Sequence, residues 1–380
     1  MSIYRERLQK VRHEMREKQI DLLVLPPSPY MFYVTGVPEQ PYFAFLKGPG
    51  DWLNGVLIGA EKDPIFVVNW EVHRVLLRST GIPSDLIGET RVLCHEGDPM
   101  VLLEAALDEF DLRHRRVALA DRTWACFAEA IRDLLPEAEI VMASDFMDDL
   151  LAIKDEHALR LLRRAAEITD AAYAETLKSL RFGVTEKEIA LEVDHQFRKF
   201  GADGNSFQTS VVFTRPEDAP PTLGAGLQPG DSVIFDIGAV YGGYCSDFGR
   251  SVFAGDPPPE YLEMHDLVLQ AQTEGMSAME SGQTICEEMV RIVQRVLVDH
   301  GFGNYLIPAV GHGIGITVHE LPLLFIGDKT LIQPGMTFTI EPTIRIPGQF
   351  SNRVEDVVMV GEKGATYLTN HPRDLYIVNE

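Results

Sequence analysis

The sequence has 380 residues and a mass of 42.5 kDa, and its 34 Lys and Arg against 57 Asp and Glu give a formal net charge of −23. The length exceeds what one hydrophobic core usually serves, so two domains are expected. A chain this acidic repels phosphate backbones and anionic lipid surfaces, which excludes general nucleic-acid binding and argues against docking on membranes.

The sequence predicts a cytoplasmic protein. It contains no apolar run of the roughly 18–20 residues that a membrane-spanning helix needs. The charged N-terminal residues are followed by no apolar stretch, so we expect no signal peptide. The cysteines are scattered and form no Cys-x-x-Cys pair, which indicates reduced thiols rather than a disulfide framework or a zinc site; they are Cys94, Cys126, Cys245 and Cys286.

The first part of the chain alternates predicted helices and strands. Apolar residues recur at helical spacing between Tyr4 and Met15, which predicts an amphipathic N-terminal helix. Short apolar runs bounded by turn residues predict buried strands at 21–25, 65–68 and 117–120. Helices are expected at 98–110 and 123–135. This alternation predicts an α/β domain over residues 1–152.

The pattern changes at about residue 153. One long helix is expected from Asp155 to Leu180, and Thr185 with Glu188 forms the capping-box signature of another. Beyond residue 205 strands dominate, and two helices interrupt them. The strands are expected at 210–213, 232–235, 337–340 and 356–360, and the helices at 258–279 and 284–300. Residues 153–380 therefore predict an α+β domain with a mixed or antiparallel sheet.

Acidic residues stand at the ends of predicted strands in this second domain. Asp236 and Asp247 flank a glycine pair that predicts a tight hairpin, which would bring the two carboxylates together from adjacent strands. Glu341 ends a third apolar strand and Glu355 precedes a fourth, while His312 lies between two glycines. Singly, each of these residues is more often a turn, loop or edge-strand residue.

Together these five residues predict a metal site. Carboxylates that enter apolar strands cost free energy unless a cation neutralises them. Four carboxylates and one imidazole suit a pair of divalent cations such as Mn²⁺. Two such cations acidify a water molecule and polarise a carbonyl, which is the chemistry of a hydrolase.

Four segments of the second domain resemble the metal-binding motifs of the creatinase/aminopeptidase P/prolidase superfamily, the pita-bread metallopeptidases. In chain order they are 236–253, 311–322, 334–342 and 353–356. More loosely, residues 30–36 resemble the N-terminal domain of that family. The resemblance implies a creatinase/prolidase-like α/β N-terminal domain (1–152) followed by an α+β pita-bread catalytic domain (153–380).

The resemblance also implies a dinuclear site with five ligands. Asp236 would bind one metal, Asp247 and Glu355 would bridge both, and His312 with Glu341 would hold the other. Mn²⁺ is the favoured metal, and Co²⁺, Zn²⁺ and Fe²⁺ are alternatives, because all of them accept such ligands. Since all five ligands are present, we expect a metal enzyme rather than a binding protein with a retired site.

Three residues are expected to act on the substrate. Glu341 would accept a proton from the attacking water and pass it to the leaving nitrogen. His319 would donate a hydrogen bond to the substrate or to the tetrahedral intermediate, and Arg353 would orient a substrate or ligand carboxylate. The simpler alternatives are that His319 caps a turn before Pro322 and that Arg353 pairs with a surface acid.

The segment ahead of the first metal-binding strand departs from the family pattern. Proline-specific members carry a substrate-binding His there, whereas this chain has no His between His195 and His265. Thr222 stands near the missing residue, and its hydroxyl reaches less far than an imidazole and carries no positive charge. The metal-binding motifs are therefore intact while one expected substrate contact is absent.

The expected activity is hydrolysis of a short amide. An Xaa-Pro peptide bond is the first candidate, cleaved by a dipeptidase or an aminopeptidase. The alternative is a small non-peptide amide or amidine, as in creatinase-like or ectoine-hydrolase-like enzymes of the same fold. Family members are commonly dimers, so the resemblance also implies a homodimer.

Overall fold

The structure is a computed structural model, and it describes residues 2–38, 50–70, 72–73, 86, 88–215 and 225–379. The chain divides into two units, Met1–Leu151 and Ala152–Glu380. Among the described residues, no helix combines the length and the apolar character that crossing a membrane requires.

The N-terminal unit is built on a six-stranded sheet. Its strands are β1 (Leu22–Leu25), β2 (Gly55–Gly59), β3 (Ile65–Asn69), β4 (Glu89–Leu93), β5 (Arg116–Leu119) and β6 (Glu139–Met142). The strand order is β4-β3-β2-β1-β5-β6, and β2 is antiparallel to both of its neighbours while the other pairs are parallel. This mixed sheet confirms the predicted α/β class.

Helices accompany this sheet along the chain. They are α1 (Ile3–Glu17), α2 (Pro29–Thr35), α3 (Pro99–Leu107), α4 (Ala125–Leu134) and α5 (Ser144–Ala152). Helix α1 begins where the Ser2 hydroxyl accepts a hydrogen bond from the Arg5 amide, and its buried face includes Leu8, Val11 and Met15. The apolar spacing that predicted this helix therefore marks the face that it buries.

The C-terminal unit combines four helices with several sheets. The helices are α6 (Glu156–Thr176), α7 (Glu186–Lys199), α8 (Pro259–Ser277) and α9 (Cys286–Asp299), and 3₁₀ turns span Leu177–Ser179 and Gly303–Tyr305. The first strands are β7 (Gly204–Asn205), β8 (Ser210–Thr214), β9 (Ser232–Ile237), β10 (Ala239–Tyr241), β11 (Tyr244–Cys245) and β12 (Phe248–Ala254). The remaining strands are β13 (Gly311–Gly313), β14 (Glu320–Leu324), β15 (Thr337–Ile340), β16 (Thr343–Ile346), β17 (Phe350–Arg353), β18 (Asp356–Gly361), β19 (Gly364–Tyr367) and β20 (Tyr376–Val378).

Two larger sheets in this unit have the orders β20-β12-β9-β8 and β14-β13-β15-β18-β19, and two small sheets have the orders β11-β10-β7 and β16-β17. Strand β20 runs parallel to β12, and the other described pairs of the unit are antiparallel. The predicted α+β class with a mixed or antiparallel sheet is confirmed.

Each of the larger sheets packs a pair of helices against one face. Side chains of α6 and α7, such as Tyr173 and Phe197, form one buried cluster with Phe235 of β9 and Phe248 of β12. Side chains of α8 and α9 form a second cluster with β15 and β18. The predicted capping box is present at the start of α7, where Thr185 and Glu188 exchange hydrogen bonds.

A buried charged network joins the second core to the C-terminal segment. The Asp356 carboxylate is fully buried and accepts hydrogen bonds from Arg250 Nη2 at 2.8 Å and Arg373 Nε at 2.8 Å. It also accepts from Gln272 Nε2 at 3.0 Å and Thr369 Oγ1 at 2.7 Å. Arg250 and Gln272 also donate to backbone carbonyls, and the one carboxylate that all four partners share connects β12, β18, α8 and residues 369–373.

We expect Asp356→Asn to destabilise the protein by about 3–5 kcal/mol, because Arg250 would be left as a buried charge without its partner. Chemical denaturation followed by circular dichroism measures the change. The matched control is Glu167→Gln, which breaks an exposed pair with Arg164 and should cost less than about 1 kcal/mol. Equal effects of the two substitutions would contradict the role given to the buried network.

Candidate metal centre

Strand alternation separates the candidate ligands from the hydrophobic core. On β9, Phe235 and Ile237 point into the cluster shared with α6 and α7, so Asp236 between them faces the other side of the sheet. On β15, Phe338 and Ile340 belong to the cluster shared with α8 and α9. Glu341, which follows Ile340 directly, continues the opposite face.

The predicted glycine-pair hairpin is present between the two aspartates. Gly242 and Gly243 have φ values of 57° and 80°, the left-handed conformation that a type I′ turn requires at both central positions. Strand β12 then returns antiparallel to β9, with Gly249 opposite Asp236. Asp247 directly precedes β12, so the two carboxylates come from neighbouring strands, as predicted.

Three of the candidate ligands form a buried cluster. Asp247, His312 and Glu355 each offer one ligand atom, and these atoms lie within 4.8 Å of one another. Only 4% of Asp247, 6% of His312 and 1% of Glu355 is exposed. Asp247 Oδ1 is buried and has no hydrogen-bond partner among the described residues. An unpartnered anionic oxygen in such a cluster is what a cation would satisfy.

The other two candidate ligands adjoin this cluster. Glu341 Oε1 lies 3.5 Å from His312 Nε2, which is also 3.5 Å from Asp247 Oδ2. Asp236 is connected through Arg353, whose Nη1 lies 2.7 Å from Asp236 Oδ2 and 3.4 Å from Glu355 Oε2. The structure therefore brings all five predicted ligands into one site.

Arg353 is the cation that this structure places among the carboxylates. It is 7% exposed, its Nη2 lies 3.4 Å from Glu341 Oε2, and its Nε donates to Thr343 Oγ1 at 2.9 Å. It does not pair with a surface acid, so that alternative is wrong. One guanidinium contacts three of the four carboxylates, so the cluster has more acidic groups than this cation can balance.

Burial and like charges shift the titration of this cluster. Burial raises the pKa of Asp247 to about 6; His312 opposes the rise, and the charges of Asp236 and Glu341 add to it. Burial, followed by the charges of Asp247 and Glu341, also raises the pKa of Glu355 well above its usual value. Both raised pKa values mean that ionising these carboxylates costs free energy when no cation is bound. The donor set therefore fits divalent metals.

The imidazole ring of His312, a candidate ligand, is oriented by the backbone of the next residue. Its Nδ1 lies 3.0 Å from the Gly313 carbonyl oxygen, which can only accept, so Nδ1 carries a proton and donates. Nε2 is then the nitrogen that faces Asp247 and Glu341. A backbone carbonyl that fixes the ring in this way is a common partner of metal-binding histidines.

His319 lies beside His312 at the exposed side of the cluster. The two rings have centroids 4.2 Å apart in an edge-to-face arrangement. Burial, followed by the charge of His312, lowers the pKa of His319, so this ring is neutral at physiological pH. A neutral imidazole at this position can donate one hydrogen bond and accept another.

Two residues that were not predicted from the sequence, Glu320 and Lys154, shape the loop before His319. Glu320 Oε1 accepts from the amides of Ile316 at 2.7 Å and Thr317 at 3.1 Å, and its Oε2 accepts from Lys154 Nζ at 2.8 Å. The side chains of this pair are only 3% and 6% exposed. Glu320, rather than His319, therefore closes the turn. In the sequence, Glu320 could have been noticed because it directly follows His319 in the second motif.

The Thr222 position lies in residues 216–224, outside the described residues. The prediction that rests on the missing imidazole therefore stays a prediction from the sequence.

The raised pKa of Asp247 gives the metal-free protein a defined pH dependence. An acid whose folded pKa of about 6 exceeds its usual 3.8 stabilises the fold fully below pH 4, and this contribution is lost as the pH rises through 6. Asp247→Asn lacks this titration. We therefore expect the chelated wild type to lose on the order of 2–3 kcal/mol relative to the chelated variant between pH 4 and pH 7.5.

Thermal melting of the two chelated proteins across this pH range measures the difference. Saturating Mn²⁺ is the internal control, because a bound cation keeps the carboxylate ionised and should remove the pH dependence of the wild type. Parallel melting curves of chelated wild type and variant at every pH would contradict the burial of an ionising carboxylate.

Two family models match the chain. Metallopeptidase family M24 matches residues 160–362, and the creatinase/prolidase N-terminal domain matches residues 7–153. The first match contains all five candidate ligands together with His319 and Arg353.

Named relatives cover the whole chain. A putative dipeptidase of Bacillus subtilis is 32% identical over 98% of this chain and 99% of its own length. An Xaa-Pro dipeptidase of Pyrococcus horikoshii is 26% identical over 99% of this chain and 100% of its own.

Solved structures agree in fold over the same extent. The dipeptidase of Pyrococcus horikoshii superposes with a TM-score of 0.85 at 26% identity, covering 98% of this chain and 100% of its own. The prolidase of Thermococcus sibiricus gives a TM-score of 0.85 at 25% identity, covering 100% of both chains. The predicted fold class, an α/β N-terminal domain followed by a pita-bread catalytic domain, is confirmed. The chain belongs to metallopeptidase family M24 and is a hydrolase whose family uses divalent metal ions.

Proposed function

We propose that this protein is a dinuclear metal-dependent hydrolase of short amides, with an Xaa-Pro peptide bond as its first substrate. The observation that carries the proposal is the buried cluster of Asp247, His312 and Glu355, with one unpartnered Asp247 oxygen inside it. The Xaa-Pro dipeptidases among the relatives support the substrate class. A homodimer in the cytoplasm, implied by the resemblance and by the cysteine pattern, is part of the same proposal.

The proposed ligand assignment follows burial. Asp247 and Glu355 are the most enclosed carboxylates and would bridge both ions. Asp236 would hold one ion, and His312 with Glu341 would hold the other. Mn²⁺ is the favoured metal because four of the five donors are carboxylates, and Co²⁺, Zn²⁺ and Fe²⁺ are alternatives.

Glu341 is proposed as the general base. When bound, the pair of divalent ions would acidify water and polarise the scissile carbonyl. The Glu341 side chain is 17% exposed, whereas that of Glu355 is 1% exposed, so Glu341 can reach both water and substrate. It would accept a proton from the attacking water and deliver it to the leaving nitrogen.

His319 and Arg353 are proposed to act on either side of this base. The neutral, exposed ring of His319 would donate a hydrogen bond to the tetrahedral intermediate or to the bound substrate. Arg353 already binds Asp236, Glu341 and Glu355, so its proposed role is to orient carboxylates of the site rather than to bind the substrate.

Substrate identity separates the two candidate functions. We expect metal-loaded protein to cleave Xaa-Pro dipeptides, and chelation to abolish this activity until Mn²⁺, Co²⁺ or Zn²⁺ is restored. The panel contains Xaa-Pro dipeptides, longer Xaa-Pro peptides and non-peptide amides, and liquid chromatography of the products gives the rates. Because the chain lacks the imidazole between His195 and His265, we expect lower efficiency on Xaa-Pro substrates than in relatives that carry it.

Cleavage of non-peptide amides alone would move the assignment to a creatinase-like or ectoine-hydrolase-like amidohydrolase. Full activity after exhaustive chelation would contradict a metal-dependent mechanism of either kind.

Glu341→Gln should lower kcat by at least about 100-fold, because the amide oxygen can still bind a metal but cannot accept a proton. Metal content, measured by elemental analysis, should fall much less than kcat. The matched control is Glu362→Gln, the same change at an exposed position in the turn after β18. A metal-loaded Glu341→Gln protein with near-normal turnover would show that another group is the base.

A further inference from the structure

The β16–β17 hairpin has one face toward the core and one toward the metal centre. In its antiparallel register Thr343 pairs with Arg353 and Arg345 pairs with Ser351, so these four side chains share a face. The opposite face belongs to the core, where Ile344 is fully buried. Since Arg353 meets the carboxylates of the candidate metal centre, the face that it shares with Arg345 is the site side of the hairpin.

Arg345 is an exposed cation on this site side. Arg353 binds three carboxylates of the metal centre, whereas Arg345 forms no ion pair or side-chain hydrogen bond with any residue that the structure describes. The two arginines therefore differ in what they can do: Arg353 is already engaged with the site, and Arg345 is available to a ligand.

Charged groups of the candidate metal centre interact electrostatically with Arg345. Burial lowers the pKa of Arg345, the charge of Arg353 lowers it further, and the charge of Asp236 acts in the opposite direction. The guanidinium thus lies within electrostatic range of both the site cation and one proposed metal ligand. The chain as a whole, at a net charge of −23, repels anions, so a local cation beside the centre is where an anionic substrate group would be held.

Spacing along the hairpin matches a short peptide. Positions 343 and 345 are two residues apart on one strand, or about 7 Å. A dipeptide has the same length, at about 3.5 Å per extended residue. A substrate whose scissile carbonyl lay beside Glu341 and Arg353 would place its far end near Arg345.

We propose that Arg345 binds the C-terminal carboxylate of the substrate and so selects dipeptides. This inference rests on the proposed peptidase function and deepens it. In a dipeptide, the residue after the scissile bond also carries the terminal carboxylate, so one guanidinium can hold it while the carbonyl lies at the metals. A longer peptide has an uncharged amide at that point, and its carboxylate lies farther out.

The test compares a free acid with its amide. Kinetics are measured for Ala-Pro and Ala-Pro-amide on Mn²⁺-loaded wild type, Arg345→Gln and Arg345→Lys. Arg345→Gln should raise KM for Ala-Pro at least about 10-fold, with kcat changed far less and the amide unaffected. Arg345→Lys should recover part of the loss because it keeps the charge. The KM effect should shrink at high ionic strength.

A charge-matched control and a binding measurement accompany the kinetics. Arg295→Gln removes the same charge from an exposed position of α9, and its KM values should equal those of wild type. Calorimetry of L-proline and prolinamide on the Mn²⁺-loaded proteins tests the carboxylate contact without turnover. Metal ligands are identical in wild type and Arg345→Gln, so weaker binding of L-proline alone to the variant assigns the contact to Arg345.

The outcomes separate the inference from the proposed function. Equal losses for Ala-Pro and its amide, or unchanged KM and unchanged L-proline affinity, would overturn the role of Arg345 while leaving the peptidase in place. A dependence on Arg345 that appears only for peptides with acidic side chains would overturn the terminal-carboxylate assignment. Absence of any peptide cleavage by metal-loaded wild type would overturn the proposed function itself, and the calorimetric arm would still decide the carboxylate contact.

Discussion

The catalytic unit depends on the burial of carboxylates that its own cations do not balance. Among the described residues, Asp236, Asp247, Glu341 and Glu355 surround one guanidinium, that of Arg353, and one candidate metal-binding imidazole, that of His312. Such an arrangement is unfavourable without added positive charge, because desolvation penalises every ionised oxygen. The surrounding elements hold these carboxylates in place. The helices cover one face of each larger sheet, and the candidate ligands lie on the other face.

Close packing around the cluster limits the side chains that its neighbours can have. A Cβ on Gly249 would lie 2.7 Å from Glu355 Oε2 and 2.8 Å from Arg353 Cδ, so β12 can approach the Glu355 carboxylate this closely only at a glycine. One residue further, Arg250 donates to the Glu355 backbone carbonyl at 2.7 Å and to the Asp356 carboxylate. Strand β12 thus leaves room for the Glu355 side chain at Gly249 and holds the Glu355 backbone through Arg250.

The sequence predicted many parts of the fold in which local pattern and tertiary burial agree, although the buried apolar strand β2 was not among them. The apolar runs of β1, β3, β9 and β15 became buried strands, whereas the edge strands β4 and β6 are largely exposed and carry no such run, so they were missed. The candidate ligands stand out in the sequence because acids at the ends of apolar strands violate that pattern. The pairing of Glu320 with Lys154 and the position of Arg345 could not be predicted from the sequence, because these contacts depend on loop closure and on hairpin register.

The Lys154–Glu320 pair also determines where the catalytic unit can begin. The match to family M24 starts at residue 160, and the N-cap of α6 is Asp155, so either position looks like a natural start. A domain excised at either point would keep all five candidate ligands and still lose the ammonium that neutralises Glu320. The carboxylate that organises the loop before His319 would then be buried and unpaired. A catalytic unit that keeps this ion pair must therefore include Lys154.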